Sequence, residues 1–201
     1  MSIEEVEYYL LKNLDQIDSR VERLGANSRY VFGLCALERL FPVYQRASVE
    51  RGQDGSGSVL PALDLMWNWI QTGGNFAAKW HGEELTKEGK WVAEAMDTDT
   101  LATVRYHAIQ TVLDFLLAIG RRDSGYSKFT ATRNIDTIEL LSDSGSASML
   151  QTRGLYEREF SRQQEDFEDL LDCEIDTLIL NRLRARSQGT SVLGRLWFLG
   201  I

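Results

Sequence analysis

The sequence predicts an all-α fold, a single-domain bundle of six to eight helices over residues 1–190, followed by an apolar tail over 191–201. Three observations carry that expectation. Apolar residues recur at three- and four-residue steps along most of the chain, the period of one helix face. Only two prolines occur in 201 residues, which leaves long stretches free of helix breakers. No segment alternates apolar and polar residues between hairpin turns, and no unit of roughly 20–50 residues repeats.

Taken in order, Val6, Leu10, Leu14, Ile17, Val21 and Leu24 make one face of a helix over 3–24, which Gly25 closes. Asn27 or Ser28 is suited to cap a second helix running to Phe41, and Pro42 to open a short continuation to about residue 51. Gly52–Ser58 is a glycine- and serine-rich loop. Leu60, Leu63, Trp67 and Ile70 define a third helix over 59–71, broken by Gly73-Gly74. A fourth, over 76–95, is weakened by Gly82 and Gly89. Asp97 or Asp99 caps a fifth, in which Leu101, Val104, Ala108, Val112, Phe115, Leu116 and Ile119 share a face and Gly120 ends the run. Residues 126–142 have some strand character, but Ile135, Ile138 and Leu141 keep three-residue steps and favour a sixth helix. After a polar loop over 142–148, one long helix is expected from 152 or 155 to 186, stopped by Gly189.

At 43% hydrophobic and 26% charged residues, the composition is that of a globular protein. The acidic start, Met1-Ser-Ile-Glu-Glu5, has no pattern of a secretory leader. Cys35 and Cys173 form no CxxC and read as reduced thiols of a cytoplasmic protein. The most apolar run, 112–120, is interrupted by Asp114 and is far below the roughly 20 residues of a membrane span, so no membrane partner is expected.

The net charge is −8, and nine acids against two bases fall between Glu157 and Asp176. Such a strip argues against nucleic acid, whose binding needs cations to displace counterions. It reads either as a solvated helix face or as a surface for a protein partner, with Glu165, Asp166, Glu168 and Asp169 at its centre. The tail, with Trp197 and Phe198, is expected to pack on the bundle or on a partner, including a second copy.

The stretch Leu34-Cys-Ala-Leu-Glu38-Arg39-Leu-Phe-Pro42-Val-Tyr44 places Glu38 on an apolar face, since Leu34 and Phe41 flank it at helical spacing. A carboxylate there needs a partner or its proton, because burying an unpaired charge costs several kcal/mol. Asp64, beside Trp67, together with Gln164 and Glu174 also falls on apolar faces, and Arg39 and Arg105 are available cations. These seven residues are either an ion-pair network fixing helix register or the walls of an inter-helix pocket. Neither His81 nor His107 has the Glu-x-x-His spacing of a carboxylate metal bundle, and zinc spacings are absent. Asp97-Thr-Asp99 lacks the glycine and terminal glutamate of a calcium loop. Nucleophile-elbow, phosphate-loop and dinucleotide motifs are missing too, so no catalytic residue, metal or cofactor is predicted.

Glu38-Arg39-Leu-Phe-Pro42-Val-Tyr44, then Leu63-Asp64-Leu-Met-Trp67, resembles the YjaG-like family of bacterial proteins, the domain of unknown function 416. Ser127–Ile138, Phe160, Gln164, Phe167 and Leu171-Asp-Cys173-Glu174 extend the resemblance over roughly residues 20–190. It implies an all-α fold and no settled activity. The chain departs from it at the apolar tail and around Arg105–Gln110. A looser analogy of fold and charge is to toxin-neutralising immunity proteins. The expected function is a non-enzymatic, protein-binding module, the alternative being a small-ligand or metal-binding enzyme built on a carboxylate pocket.

Overall fold

The computed structural model describes residues 3–55, 57–74, 76, 79–94, 100–143 and 149–192. These form eight α-helices: α1 (Ile3–Arg23), α2 (Ala26–Val49), α3 (Val59–Thr72), α4 (Lys79–Ala93), α5 (Thr100–Gly120), α6 (Ser127–Asp143), α7 (Met149–Leu170) and α8 (Thr177–Gln188). A 3-10 turn, Ser124–Tyr126, leads into α6, and no strand occurs among the described residues. The tail residues Trp197 and Phe198 and the expected caps Asp97 and Asp99 lie outside the described residues.

Helix α2 is the axis of the bundle. Every residue from Tyr30 to Leu40 is buried, because α3, α5, α6, α7 and α8 all pack against it. A helix covered on all sides has no room for a polar face, and its sequence is accordingly apolar around most of its circumference. Helix α1 lies against α6 and α7, while α4 lies against α5 and α3. Gly89 gives α4 its close approach to α5, where Gln110, Ile109 and Tyr106 stand opposite.

Three expectations about boundaries are corrected. The N-cap of α2 is Gly25 and not Asn27 or Ser28, and no side chain caps it. The Arg29 side chain instead reaches back to the end of α1, donating to the carbonyl oxygens of Val21 (3.1 Å), Glu22 (2.8 Å) and Leu24 (2.9 Å). Pro42 lies inside α2 and does not open a new helix. It removes the backbone bond to the Glu38 carbonyl, a loss of about 3 kcal/mol in an isolated helix that burial of the surrounding turns offsets here.

The largest correction concerns the last helix, which is two. Helix α7 ends at Leu170, Asp172 adopts a left-handed backbone (φ 54°), and Asp176 starts α8 by accepting a hydrogen bond from the Ile179 amide at 2.8 Å. The left-handed region costs little for aspartate. Acids crowded at the end of α7 also oppose its dipole, which favours termination there. The register changes across the break, so Glu174 and Leu178 are exposed.

Gly33 of α2 sits against α5: a Cβ there would lie 2.5 Å from Phe115 Cε2 and 3.2 Å from Ser127 Oγ. Gly33→Ala is therefore expected to lower stability by about 1–3 kcal/mol in urea unfolding, the range for overpacking a filled core. Phe115→Leu in the same chain should recover part of that loss, and an unchanged midpoint for Gly33→Ala alone would refute the close contact.

Candidate functional site

Among the described residues, the buried charged side chains fall into three groups. Arg39, on α2, is at the centre of the first. It donates from Nε to both carboxylate oxygens of Glu159 (3.2 and 3.1 Å), from Nη2 to Glu159 Oε1 (3.1 Å), and from Nη1 to Asp166 Oδ2 (2.5 Å). Glu159 Oε1 also accepts from Asn134 (2.9 Å) and Gln163 (2.8 Å), whose amides donate in addition to the Ala36 and Ala131 carbonyls. Arg186 donates to the other oxygen of Asp166 at 2.5 Å. Burial works against the Arg39 charge, but Glu159 and Asp166 more than offset it, and its pKa is raised.

Glu38 is not paired with its neighbour Arg39. Adjacent residues of a helix point about 100° apart and do not face each other. The buried Glu38 instead accepts from Arg184 of α8 at 2.8 Å, and Arg184 also reaches the exposed Asp64 on α3 while its guanidinium lies 5.7 Å from the Trp67 ring centroid. Burial raises the Glu38 pKa despite Arg184. Trp67 and Gln188 lie close enough to favour the charged form, yet Glu38 Oε2 and Trp67 Nε1 each lack a well-formed hydrogen bond.

Of the seven predicted network residues, then, Glu38, Asp64 and Trp67 meet around Arg184, whereas Arg39 belongs to the adjacent cluster. Gln164 and Glu174 join neither. The inward face of α7 is Tyr156, Glu159, Phe160, Gln163, Asp166, Phe167 and Leu170, so Gln163 is the buried glutamine and Gln164 turns to Glu168. Asp166, expected on a partner surface, is fully buried because two arginines hold it. Glu165 pairs with Arg162 and Asp169 with Arg182 and Arg186, leaving Glu168 exposed on that strip.

The third group was missed apart from Arg105. Glu88 of α4 accepts from Tyr44 Oη (2.6 Å), Arg105, the Ser58 amide (3.0 Å) and the Ser58 hydroxyl (2.5 Å). These bonds overcome the effect of burial and lower its pKa, so the carboxylate is ionised and fully engaged. Burial, and then Glu88, raises the Tyr44 pKa. The Arg105 guanidinium lies between two rings, 5.5 Å from the Tyr44 centroid and 5.4 Å from that of Trp91. Gly57, at φ 41°, is required over this cluster, since a Cβ would fall 1.8 Å from Tyr44 Oη.

Above this cluster lies a groove of about 410 Å³, bounded by Gly57, Ser58 and Pro61 on one side and by Trp80, His81, Glu84, Lys87, Glu88 and Trp91 of α4 on the other. Positions 80, 84, 88 and 91 recur at steps of four and three and share one helix face. That spacing was legible in the sequence; what hid the site was that its partners come from α2, α5 and the 52–58 loop. Among the described residues, no group of three or more His, Cys, Asp and Glu side chains is arranged to hold a metal ion. None of the described helices is long and apolar enough to cross a membrane.

The described architecture has a clear counterpart. A DUF416 family protein from Shewanella baltica OS155 matches with a TM-score of 0.77 at 18% identity, over 88% of this chain and 96% of that one. The fold is DUF416-like. No protein-family model and no curated protein matches the sequence. Within the DUF416-like fold, the stretch Glu38–Tyr44 supplies one residue to each of the three polar groups: Arg39 to the first, Glu38 to the second and Tyr44 to the third.

Removing Arg39 leaves the buried Glu159 without a cation and Asp166 with Arg186 alone. Arg39→Met is expected to lower stability by about 3–5 kcal/mol, while Arg153→Ala, which breaks an exposed pair with Glu157, should cost about 1 kcal/mol or less. Chemical denaturation of both variants checks the contrast, and equal losses would contradict it.

His107 provides a pH-dependent test. Arg133 donates to its Nε2 at 3.1 Å, and because arginine cannot accept, the ring proton sits on Nδ1 and faces Thr137 Oγ1, also at 3.1 Å. Burial and the Arg133 charge lower its pKa from 6.5 to about 4, with Asp136 4.0 Å from Nε2. Between those values the unfolded chain binds a proton that the native state does not. Stability is expected to fall as pH drops from 6.5 towards 4, by up to about 3 kcal/mol from this group. His107→Gln should flatten that limb in urea unfolding at stepped pH, and an unaltered slope would reject the assignment.

Proposed function

We propose that this chain is a bacterial cytoplasmic, non-enzymatic binding module related to the DUF416 proteins, and that the groove between residues 57–61 and α4 is its protein contact site. The observation that carries the reading is the pair of tryptophans on that groove. Trp80 and Trp91 are 60% and 54% exposed, although tryptophan is among the residues with most to gain from burial. Rigid, exposed tryptophans around a preformed polar centre are the composition of an interface hot spot.

The chemistry of the floor supports binding over catalysis. Glu88 already accepts four hydrogen bonds, which leaves it poorly placed to take a proton from a substrate. The Tyr44 hydroxyl is committed to Glu88, and desolvation lowers the His81 pKa, which keeps that ring neutral near pH 7. The acidic strip supports a contact surface less well, because much of its charge is paired within the chain: Glu157 with Arg153, Glu165 with Arg162, Asp169 with two arginines. A second reading rests on the groove volume of about 410 Å³, within the range of small-molecule sites.

The test is affinity capture from the source cell with four forms of the chain. Wild type and Glu168→Lys are expected to retain the same partner, which Trp80→Ala and Trp91→Ala lose. Retention by both tryptophan variants would remove the groove, and loss in Glu168→Lys alone would move the contact to the α7 face. A thermal shift with a metabolite, abolished by Trp91→Ala, would select the small-ligand reading instead.

A further inference from the structure

Helix α8 is attached differently from the rest of the bundle. Over its 12 residues, only Leu180, Leu183 and Ser187 are buried. Its charged attachments are three arginines on two flanks, and just beyond its end the buried Val192 donates its amide to the Arg39 carbonyl oxygen at 3.3 Å. Arg182 and Arg186, four residues apart, face α7: Arg182 meets Asp169 at 3.0 Å, and Arg186 meets Asp169 at 2.6 Å and Asp166 at 2.5 Å. Arg184 faces the other way, to Glu38 on α2 and Asp64 on α3. The arginine side chains are 58%, 26% and 23% exposed in the order 182, 186, 184, so water and salt reach all three guanidinium groups, although Glu38 and Asp166 are themselves buried.

The segment before α8 is a candidate hinge. Residues 171–176 carry no helix, and Asp172 holds a positive φ that only a few non-glycine residues adopt. Under α8 lies Cys35, fully buried on α2, whose thiol is surrounded by Arg39, Asp166, Arg186 and the Ser187 side chain. Removing α8 leaves Arg39 still held by Glu159 and Asp166, and leaves the apolar packing among α2, α5 and α6 intact. The attachments of α8, together with the Val192–Arg39 backbone bond that follows it, can therefore break while the contacts among the remaining helices persist.

We propose that α8 detaches from the bundle as a unit, hinging at 171–176, and that its arginine–carboxylate pairs set how often it does so. Opening uncovers a seat lined by Glu38, Asp166 and Asp169 with the Cys35 thiol at its base. The device is independent of the groove on α4, which lies against α3 and α5. Sub-global opening of this kind takes place within the native ensemble, below the free energy of complete unfolding.

The experiment is thiol labelling of the full chain under native conditions, in a Cys173→Ser background that leaves Cys35 as the sole cysteine. A parallel form, Cys35→Ala with Cys173→Ser and Ala108→Cys, reports on the equally buried face of α5. Arg184→Gln is expected to raise the Cys35 labelling rate at least tenfold while leaving the Ala108→Cys rate within twofold. Raising salt with all arginines present should act in the same direction, which keeps the test valid if Arg184→Gln folds poorly. Parallel acceleration at both thiols, or a Cys35 rate indifferent to both salt and Arg184→Gln, would overturn the proposal.

Discussion

Arg39 is the charge on which the arrangement of the C-terminal half depends. A guanidinium in the middle of a covered helix is tolerable only when its donors are met by carboxylates in fixed positions. Glu159 meets it with both oxygens and Asp166 with one, and the two lie seven residues apart on one face of α7. That pair of contacts sets both the height and the rotation of α7 against α2. Asn134 brings α6 into the same cluster and Arg186 brings in α8. Apolar packing alone allows helices to slide by a turn at modest cost; a buried charge with directional partners does not.

The same logic explains why a short motif contains so much of the architecture. Glu38, Arg39 and Tyr44 lie within two turns of α2, yet each faces a different part of the bundle. A helix buried on every side can direct polar groups in several directions at once, and each direction ends in an opposite charge or a hydroxyl. Charge also serves two purposes in this chain. Well-buried pairs, Arg39 with Glu159 and Arg105 with Glu88, specify packing, while the partly exposed pairs of Arg184 and Arg186 join a peripheral helix to a finished core.

Much of this was legible before any coordinates. Helix type, the approximate spans of α1 and α3 to α6, and the unusual burial of Glu38 all follow from apolar spacing. The break after Leu170 was harder to see, because neither glycine nor proline marks it; the signals were acids at a helix end and Asp176 in a capping position. Asp166 and Glu159 looked like solvent-facing charges, since spacing rules count polar residues as outward by default. Their partner, Arg39, is more than a hundred residues away in sequence, and only the tertiary fold brings the three together. The groove was hidden for the same reason: Glu88 becomes informative only beside Tyr44, Ser58 and Arg105.

Gly57 has a consequence for how this chain can vary over evolutionary time. The loop before α3 is rich in glycine and serine, and several of its positions are constrained: Gly52 has a φ of 70°, a Cβ at Gly55 would lie 2.8 Å from Gln45 Cγ, and Ser58 is bonded to Glu88. At position 57 the limit is set from outside the loop: any side chain collides with the Tyr44 hydroxyl, which is itself held by Glu88. Drift along this loop therefore meets its sharpest limit at position 57, where a hydroxyl on a distant helix acts as the selective filter. In related chains, replacement of that glycine should be accompanied by loss of the tyrosine hydroxyl, and the two positions should change together.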